Sequence, residues 1–592
     1  MSVIHQEKQN RLDLRQLMFP AVLLGVFLVF FFRLWYLQVM HAPALIEKAD
    51  TFRNSTIPKA APRGRVLDRN GVLLAGVRPE IVVTALPGVV KKHPESIDTL
   101  ATMLGAPKED LLDKIKEGEW RPFAPTPVFM NAPIDVATRV AEKSEELPGL
   151  GVETMPMRYY PDTVSFSHLL GYVGVPSEKN VERIEKWNVE PADYVGKIGL
   201  EYIYERELMG AFGSEEMEVD ARRRPLRTIE RSSPLPGKQL ILGLDAELQK
   251  FATDELTRRG FRGAVAAVDP RSGEVLTLCS NPTYDAGQFL GGISRKEFAA
   301  LNSDPGKPLL NRAIYSAYAP GSTFKIVTTI AAMQTGHFSP TQTFFCPGYY
   351  RMGRRNFKCL GNHGAVAFER AMAKSCNTYF ISLGMKAGPE AIQRACADLG
   401  LGKPTGVDLL GEGKGFVPSM DNIDRWSADG KWWPGDTANF SVGQGAMAVT
   451  PLQMASVIAL VANRGISYRP HLVRAVVEPG DQVMKPVQPQ VLGRVEASDA
   501  FWSTLQRGLV QVIEGGTATR VAKTPGLTWG GKTGSAENRR DSKTHSWFVA
   551  FAPADDPKIA ICVMLENAGH GSDAAAPVAA AIVRHYLAKT GR

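Results

Sequence analysis

From Leu17 to Phe32 the chain carries no charged side chain and is mostly apolar, and after Arg33 the apolar run Leu34 to Met40 continues it. At about 1.5 Å per residue the whole of Leu17 to Met40 can cross a hydrocarbon core of about 30 Å, with Arg33 extending toward one face. Lys8, Arg11 and Arg15 precede it. Short basic flanks stay in the cytoplasm, so the expected layout is a cytoplasmic N-terminus over 1–16, a transmembrane helix over 17–40 and an exported remainder. Trp35 and Tyr36 would sit at the outer interface. A cleaved signal peptide is the rival reading, but the apolar stretch is long and no small-x-small site closes it.

The exported part of a 592-residue chain is too long for one ordinary core and predicts two or more folded units. With 44% hydrophobic and 22% charged residues it is globular in composition, and no fixed-period repeat points to a solenoid. A net charge of +8 and a pI near 9.0 favour an anionic neighbour such as a membrane surface or a polyanionic envelope. There is no basic run or aromatic-basic interleaving of the kind that binds nucleic acid.

The exported chain opens with Val66-Leu67 and Val72-Leu73-Leu74 flanking Asp68-Arg69-Asn70-Gly71, a hairpin signal. Helical stretches follow around Pro94 to Leu104 and Lys108 to Glu117, and no catalytic constellation stands out before residue 237. Residues 41–236 are therefore expected to form a mixed α/β pedestal and 237–592 a second domain. That domain begins with Leu240 to Leu242 running into a helix capped by Asp245. Gly263 to Val268 and Glu274 to Leu278 flank a turn-rich loop. Leu527 to Glu537, Ser546 to Ala552 and Ile559 to Glu566 are strand-like, and a helix with proline in its first turn runs over Pro577 to Lys589. Strands from both ends would form one sheet packed with helices, an α+β domain.

Within it, Tyr318-Ala-Pro-Gly-Ser-Thr-Phe-Lys325 places Ser322 at a helix start and Lys325 three residues on, facing the same way. A serine hydroxyl is a weak nucleophile without an adjacent base, and a helix N-terminus adds a positive environment. Ser-x-x-Lys alone is expected by chance in a chain this long. Two later stretches, Ser375-Cys376-Asn377 and Lys532-Thr533-Gly534, complete an ordered set. As isolated motifs they could be a helix cap and a strand end; in this order they resemble the penicillin-binding proteins and serine β-lactamases, with Ser-Cys-Asn where the family motif has Ser-Asp-Asn.

The resemblance implies the penicillin-binding/serine β-lactamase-like transpeptidase fold and a role for each residue. Ser322 attacks a D-alanyl-D-alanine carbonyl, and neutral Lys325 takes its proton. Lys532 is expected to depress the Lys325 pKa as a neighbouring ammonium. Ser375 relays the proton to the leaving amine, Asn377 holds the substrate amide, and Thr533, with Gly534, binds the terminal carboxylate. The N–H groups of Ser322 and Ser535 form the oxyanion hole. The segment Ala61 to Gly76 and Gly196 to Glu201 resemble the pedestal of the monofunctional, class B penicillin-binding proteins. Trp433 to Thr437, Gly443-Gln-Gly445 and Leu565-Glu-Asn567 look more like the cell-elongation branch of that class than the division branch. Such enzymes cross-link peptidoglycan stem peptides, are acylated by β-lactam antibiotics, and work with a RodA-type glycosyltransferase and an MreC-type scaffold in the bacterial inner membrane, with the bulk of the chain in the periplasm.

Of six cysteines, Cys279, Cys396 and Cys562 sit in apolar surroundings and read as small buried hydrophobes. Cys346, Cys359, His363 and Cys376 are spaced as a closed zinc site, which would tie the 346–363 loop to the segment carrying Ser375 and Asn377. A Cys346–Cys359 disulfide is the alternative in an oxidising compartment, and free thiols are a third. The chemistry itself needs no cofactor. Among rival functions, a β-lactamase shares the serine and both lysines but is usually small and soluble. A membrane β-lactam sensor needs a signalling part, and its His-Glu-x-x-His motif is absent here. A non-catalytic scaffold has no use for intact motifs.

Overall fold

In the computed structural model, residues 14–42, 54–59, 61–119, 122, 125–186, 194–219, 225–290, 292–480, 484–537 and 543–590 are described. Lys8 and Arg11 of the expected cytoplasmic segment lie outside them. The chain divides into two compact units, one of residues 1–60 with 212–234 and the other of residues 61–211 with 235–592.

In the first unit an α-helix over Leu14–Trp35 continues as a π-helical turn over Tyr36–Met40. Its stretch Met18–Met40 has a mean hydropathy of 2.1, and none of its residues is buried in the protein. Twenty-three residues at 1.5 Å rise give about 35 Å, enough to cross a bilayer. Asn54–Lys59, Gly213–Val219 and Pro225–Ser232 form a three-stranded antiparallel sheet.

Among the described residues, the second unit holds two large sheets and four two-stranded ones. The expected hairpin forms between Val66–Leu67 and Leu73–Ala85. Asp68 shapes its turn by accepting hydrogen bonds from the N–H groups of Asn70 and Val72, both at 2.8 Å, and Gly71 supplies φ 85°. Leu73–Ala85 also pairs with Leu150–Tyr159 and Thr126–Phe129. The helices Glu95–Leu104, Lys108–Glu117 and Ile134–Glu142 contribute Ile97, Leu100, Leu111 and Val136 to a small core against these strands.

Gln239–Leu242, read from sequence as the opening of the second domain, lies parallel to Val66–Leu67 and antiparallel to Val473–Val477. One sheet thus runs across the pedestal and the later chain. Asp245 caps the following helix Ala246–Arg258 through the Leu248 N–H, and Asp68 accepts from the Ala246 N–H at 3.0 Å. The hairpin turn and the helix start are therefore stapled together.

The second sheet is wholly antiparallel. Its order is Val275–Asn281, Gly263–Val268, Ile559–Leu565, His545–Ala552 and Gly530–Ala536. As expected, strands from both ends of the domain meet in it. Nearly every residue in these strands is buried, because helices cover both faces. Pro451–Ala462 and Asp499–Glu514 pack on one side, and Ala246–Arg258 with Ala575–Lys589 on the other. Gly530–Ala536 remains an edge strand, whose free side has backbone groups available to an extended peptide.

Candidate active site

Three segments converge on the edge strand. The nucleophile segment opens with Tyr318, whose backbone pairs with Val449 and whose hydroxyl donates to Glu566 at 2.6 Å. Gly321–Phe324 is a 3₁₀ turn that leads into the α-helix Lys325–Gln334. Ser322 is therefore on a 3₁₀ turn ahead of the helix, where residues i and i+3 eclipse, and Lys325 lies under it. Gly321 has φ 55°, and a Cβ there would stand 2.6 Å from the Ser535 carbonyl oxygen. Gly534 is needed for the same closeness, since its Cβ would meet the Pro320 oxygen at 2.9 Å and Thr323 at 3.0 Å. The glycine of Lys-Thr-Gly thus lets the nucleophile turn lie against the strand.

Lys325 is fully buried, and its Nζ donates to the Ser375 carbonyl at 2.6 Å, to Ser375 Oγ at 3.1 Å and to Asn377 Oδ1 at 2.7 Å. Lys532 Nζ, also fully buried, donates to Ser375 Oγ at 2.9 Å and to the Thr533 carbonyl at 3.0 Å. Ser375 is thus the shared partner of both amines. It holds φ 53°, a left-handed conformation uncommon for serine, and precedes the helix Asn377–Ala387. Among the described residues, the hydrogen-bonding partners of the two amines include no carboxylate.

Burial lowers the Lys325 pKa to about 7, while negative charge on the Cys359 and Cys376 sulfurs opposes the shift. The expected cause of that depression was a Lys532 ammonium. Burial is instead its first cause, and the like-charge effect falls on Lys532, which burial and then Lys325 push well below the ordinary lysine range. Near neutrality such a site holds an uncharged amine one eclipsed step from Ser322, the state a general base needs.

Thr533 Oγ1 lies 2.7 Å from Thr517 Oγ1, and Ser535 Oγ lies 3.4 Å from His570 Nδ1. Neither Thr517 nor His570 carries a sequence signal, because only the fold brings them to the strand. Gln444 extends from the neighbouring segment, donating through Nε2 to the Ser535 carbonyl at 3.3 Å.

On the opposite wall, Cys346, Cys359, His363 and Cys376 come together with all four potential ligand atoms within 4.8 Å of one another. Cys346 Sγ and Cys359 Sγ each lie 3.5 Å from His363 Nδ1, and Cys359 Sγ lies 3.8 Å from Cys376 Sγ. A tetrahedral zinc with Zn–S bonds near 2.3 Å has edges of about 3.8 Å, so the donor set fits that ion in type and spacing. All six cysteines are free thiols, and Cys346 and Cys359 are not bridged. The Asn377 N–H donates to Cys359 Sγ at 3.2 Å and Asn377 Nδ2 to the Lys358 carbonyl at 2.8 Å. The cluster is hence joined directly to the residue that holds Lys325.

This arrangement of serine, two buried lysines, a bridging serine and an open strand edge defines a serine acyl-transfer site. The penicillin binding protein transpeptidase domain family matches residues 263–584, and the penicillin-binding protein dimerisation domain matches 58–242. The peptidoglycan D,D-transpeptidase MrdA of Acinetobacter baumannii is 34% identical over 565 residues, 91% of this chain and 82% of that protein. MrdA of Escherichia coli K12 is 31% identical, covering 94% of this chain and 90% of that one. A solved complex between penicillin-binding protein (PBP2) and MreC from Helicobacter pylori superposes with a TM-score of 0.78 at 27% identity, covering 91% of this chain and 99% of that chain. The chain belongs to the penicillin-binding protein transpeptidases, and within them to the group of the MrdA (PBP2) D,D-transpeptidases.

Proposed function

We propose that this protein is a membrane-anchored peptidoglycan D,D-transpeptidase that cross-links stem peptides during cell-wall elongation through an acyl-enzyme at Ser322. The observation that carries the reading is the pair of buried lysines meeting on Ser375, one of them three residues beyond Ser322. The donor peptide adds to the free edge of Gly530–Ala536, with Asn377 and Thr533 gripping its amide and terminal carboxylate. Ser322 Oγ attacks the penultimate D-alanyl carbonyl as Lys325 accepts its proton, and the N–H groups of Ser322 and Ser535 receive the oxyanion. Ser375, fed by both amines, passes a proton to the departing D-alanine. The amine of a neighbouring stem peptide resolves the ester, and β-lactams acylate the same serine.

The helix over Leu14–Trp35 anchors the protein in the inner membrane with its bulk in the periplasm. The pedestal meets an MreC-type scaffold, a reading supported by the solved H. pylori pair. A RodA-type glycosyltransferase supplies the glycan strand. Cys346, Cys359, His363 and Cys376 hold a structural zinc that fixes the wall bearing Ser375 and Asn377. Metal analysis of the purified protein tests the last point: about one zinc per chain is expected, and intact thiols without zinc would refute it.

Labelling with a fluorescent penicillin tests the function itself. Wild type should label stably and Ser322→Ala not at all. Equal labelling would overturn the assignment, and rapid loss of the label would mark a β-lactamase.

A further inference from the structure

A transpeptidase needs a second substrate, an amine, and the donor already occupies the strand edge. A groove of about 220 Å³ lies beside the nucleophile segment, lined by Trp426, Trp432, Trp433, Asp436, Asn439 and Gln444. Its lining residues are joined to the nucleophile segment and the edge strand by packing at two places. Gly443 packs on Gly321, where a Cβ would stand 2.4 Å from the Gly321 carbonyl, and Gln444 reaches the Ser535 carbonyl. A chain of ring contacts also runs from Trp426 to Trp432 at 5.1 Å, to Phe440 at 6.1 Å and to Phe324, two residues past Ser322, at 5.4 Å.

Trp432 packs against the main core, and each indole N–H of the three tryptophans has a partner. Trp433 is 54% exposed, yet its indole N–H donates to Asp429 at 2.9 Å. Trp432 Nε1 donates to Thr437 Oγ1 at 2.7 Å and Trp426 Nε1 to Asn422 Oδ1 at 3.1 Å. With every indole N–H used within the loop, what the rings offer a ligand is their π faces. Asp436 accepts the Trp433 backbone N–H on one carboxylate oxygen and lines the groove. Between residues 420 and 436 four aspartates stand against Arg425 and Lys431, in a chain whose net charge is +8. Lys431 is 6.0 Å from the Trp433 ring centre, and Arg355, which approaches Gly435, is stacked on Phe357 at 4.6 Å.

Aromatic faces with a carboxylate recognise an alkylammonium group through cation–π attraction and charge. The volume suits one alkyl arm and not a disaccharide. We infer that this groove is the acceptor subsite, taking the primary amine at the end of a stem peptide's side chain and delivering it to the Ser322 ester; the inference rests on the transpeptidase reading above. The ammonium gives one proton to solvent as it leaves the groove. The neutral amine then forms a C–N bond to the acyl carbon, the C–Oγ bond breaks, and the second proton reaches Ser322 Oγ by way of Lys325. Holding the amine in place raises its effective concentration over water, so the groove sets the partition between cross-linking and hydrolysis.

The test uses the full-length protein in detergent, a D-alanyl thioester donor and Nα-acetyl-L-lysine amide as the acceptor. Trp433→Ala and Asp436→Asn should each raise the acceptor KM at least tenfold and shift products toward hydrolysis, with the rate of penicillin labelling within twofold of wild type. Unchanged acceptor KM with normal labelling would overturn the inference and leave the transpeptidase reading standing. Slowed penicillin labelling in both variants, with circular dichroism unchanged, would overturn it by placing the groove in the donor step. Competition by N-acetylglucosamine against the amine would overturn it in favour of a glycan site. Failure of the wild type to label would remove the underlying reading as well.

Discussion

Two buried clusters of charge in the same unit are built on opposite principles. In the pedestal, Arg63 donates to Glu201 at 2.6 Å and to Glu205 at 2.8 Å, and Arg158 donates to Glu201 at 2.6 Å. Tyr160 and the Gly196 N–H complete the carboxylates' shells, so two cations face two anions. Burial works against the Glu201 charge, but Arg158 and Arg63 outweigh it and hold the carboxyl below its usual range. In the cleft, Lys325 and Lys532 share one hydroxyl with no carboxylate among their hydrogen-bonding partners in the described residues, and burial lowers both. The pedestal neutralises its charges by pairing, and Glu201 keeps its negative charge near neutral pH. The cleft sheds charge by losing a proton, which turns a buried ammonium into a base.

The largest contrast should appear in rates. Lys325→Met removes the base and should slow penicillin acylation by about 10² to 10⁴-fold, read by stopped-flow labelling. Its unfolding free energy should stay level or rise, because a buried amine has gone. Glu201→Ala should do the reverse. Leaving two arginines short of an anion costs about 3–5 kcal/mol in denaturant unfolding, while the folded fraction keeps its acylation rate. If Lys325→Met were the variant that unfolded, the contrast would fail.

A smaller effect is expected at the cysteine cluster. Chelation, or Cys359→Ser, should lower Tm and slow acylation by roughly tenfold, because the Asn377 N–H rests on that sulfur. Wild-type behaviour after complete metal removal would detach the cluster from the cleft.

Much of this contrast was legible in the linear sequence on the catalytic side and little on the other. Ser322 and Lys325 stand out by type and spacing, Ser375, Asn377 and Lys532 by resemblance to an ordered family motif set, and the hairpin at Asn70-Gly71 by its turn residues, since turns and short motifs are local. The Arg63–Glu201 box joins residues 138 apart, and no local pattern announces it. The cause of the Lys325 shift was misread for the same reason: burial is a property of the packed interior, whereas a second lysine can be counted in the sequence. The sheet shared by Gln239–Leu242 and Val66–Leu67 also escaped, because period and turn signals identify strands but not their neighbours.

The smallest effect is on stability against pH. Unfolded Lys325 keeps its proton up to about pH 10.5, whereas in the folded protein it is lost near 7. The unfolded state therefore binds more protons between those values, and unfolding free energy should rise with pH across that window. Lys325→Met should lose part of that slope. The Glu201 contribution has the opposite range, present above the ordinary carboxyl pKa and lost only as pH falls through the lowered folded value.

The pH dependence of the acylation rate bears most directly on the claim that an uncharged buried lysine activates Ser322. Single-turnover labelling of the wild type by benzylpenicillin from pH 5 to 9 should rise about tenfold per unit below pH 7 and level off above it, with the midpoint near the lowered Lys325 pKa. A rate that is flat across this range, or that falls as pH rises through 7, would contradict the account.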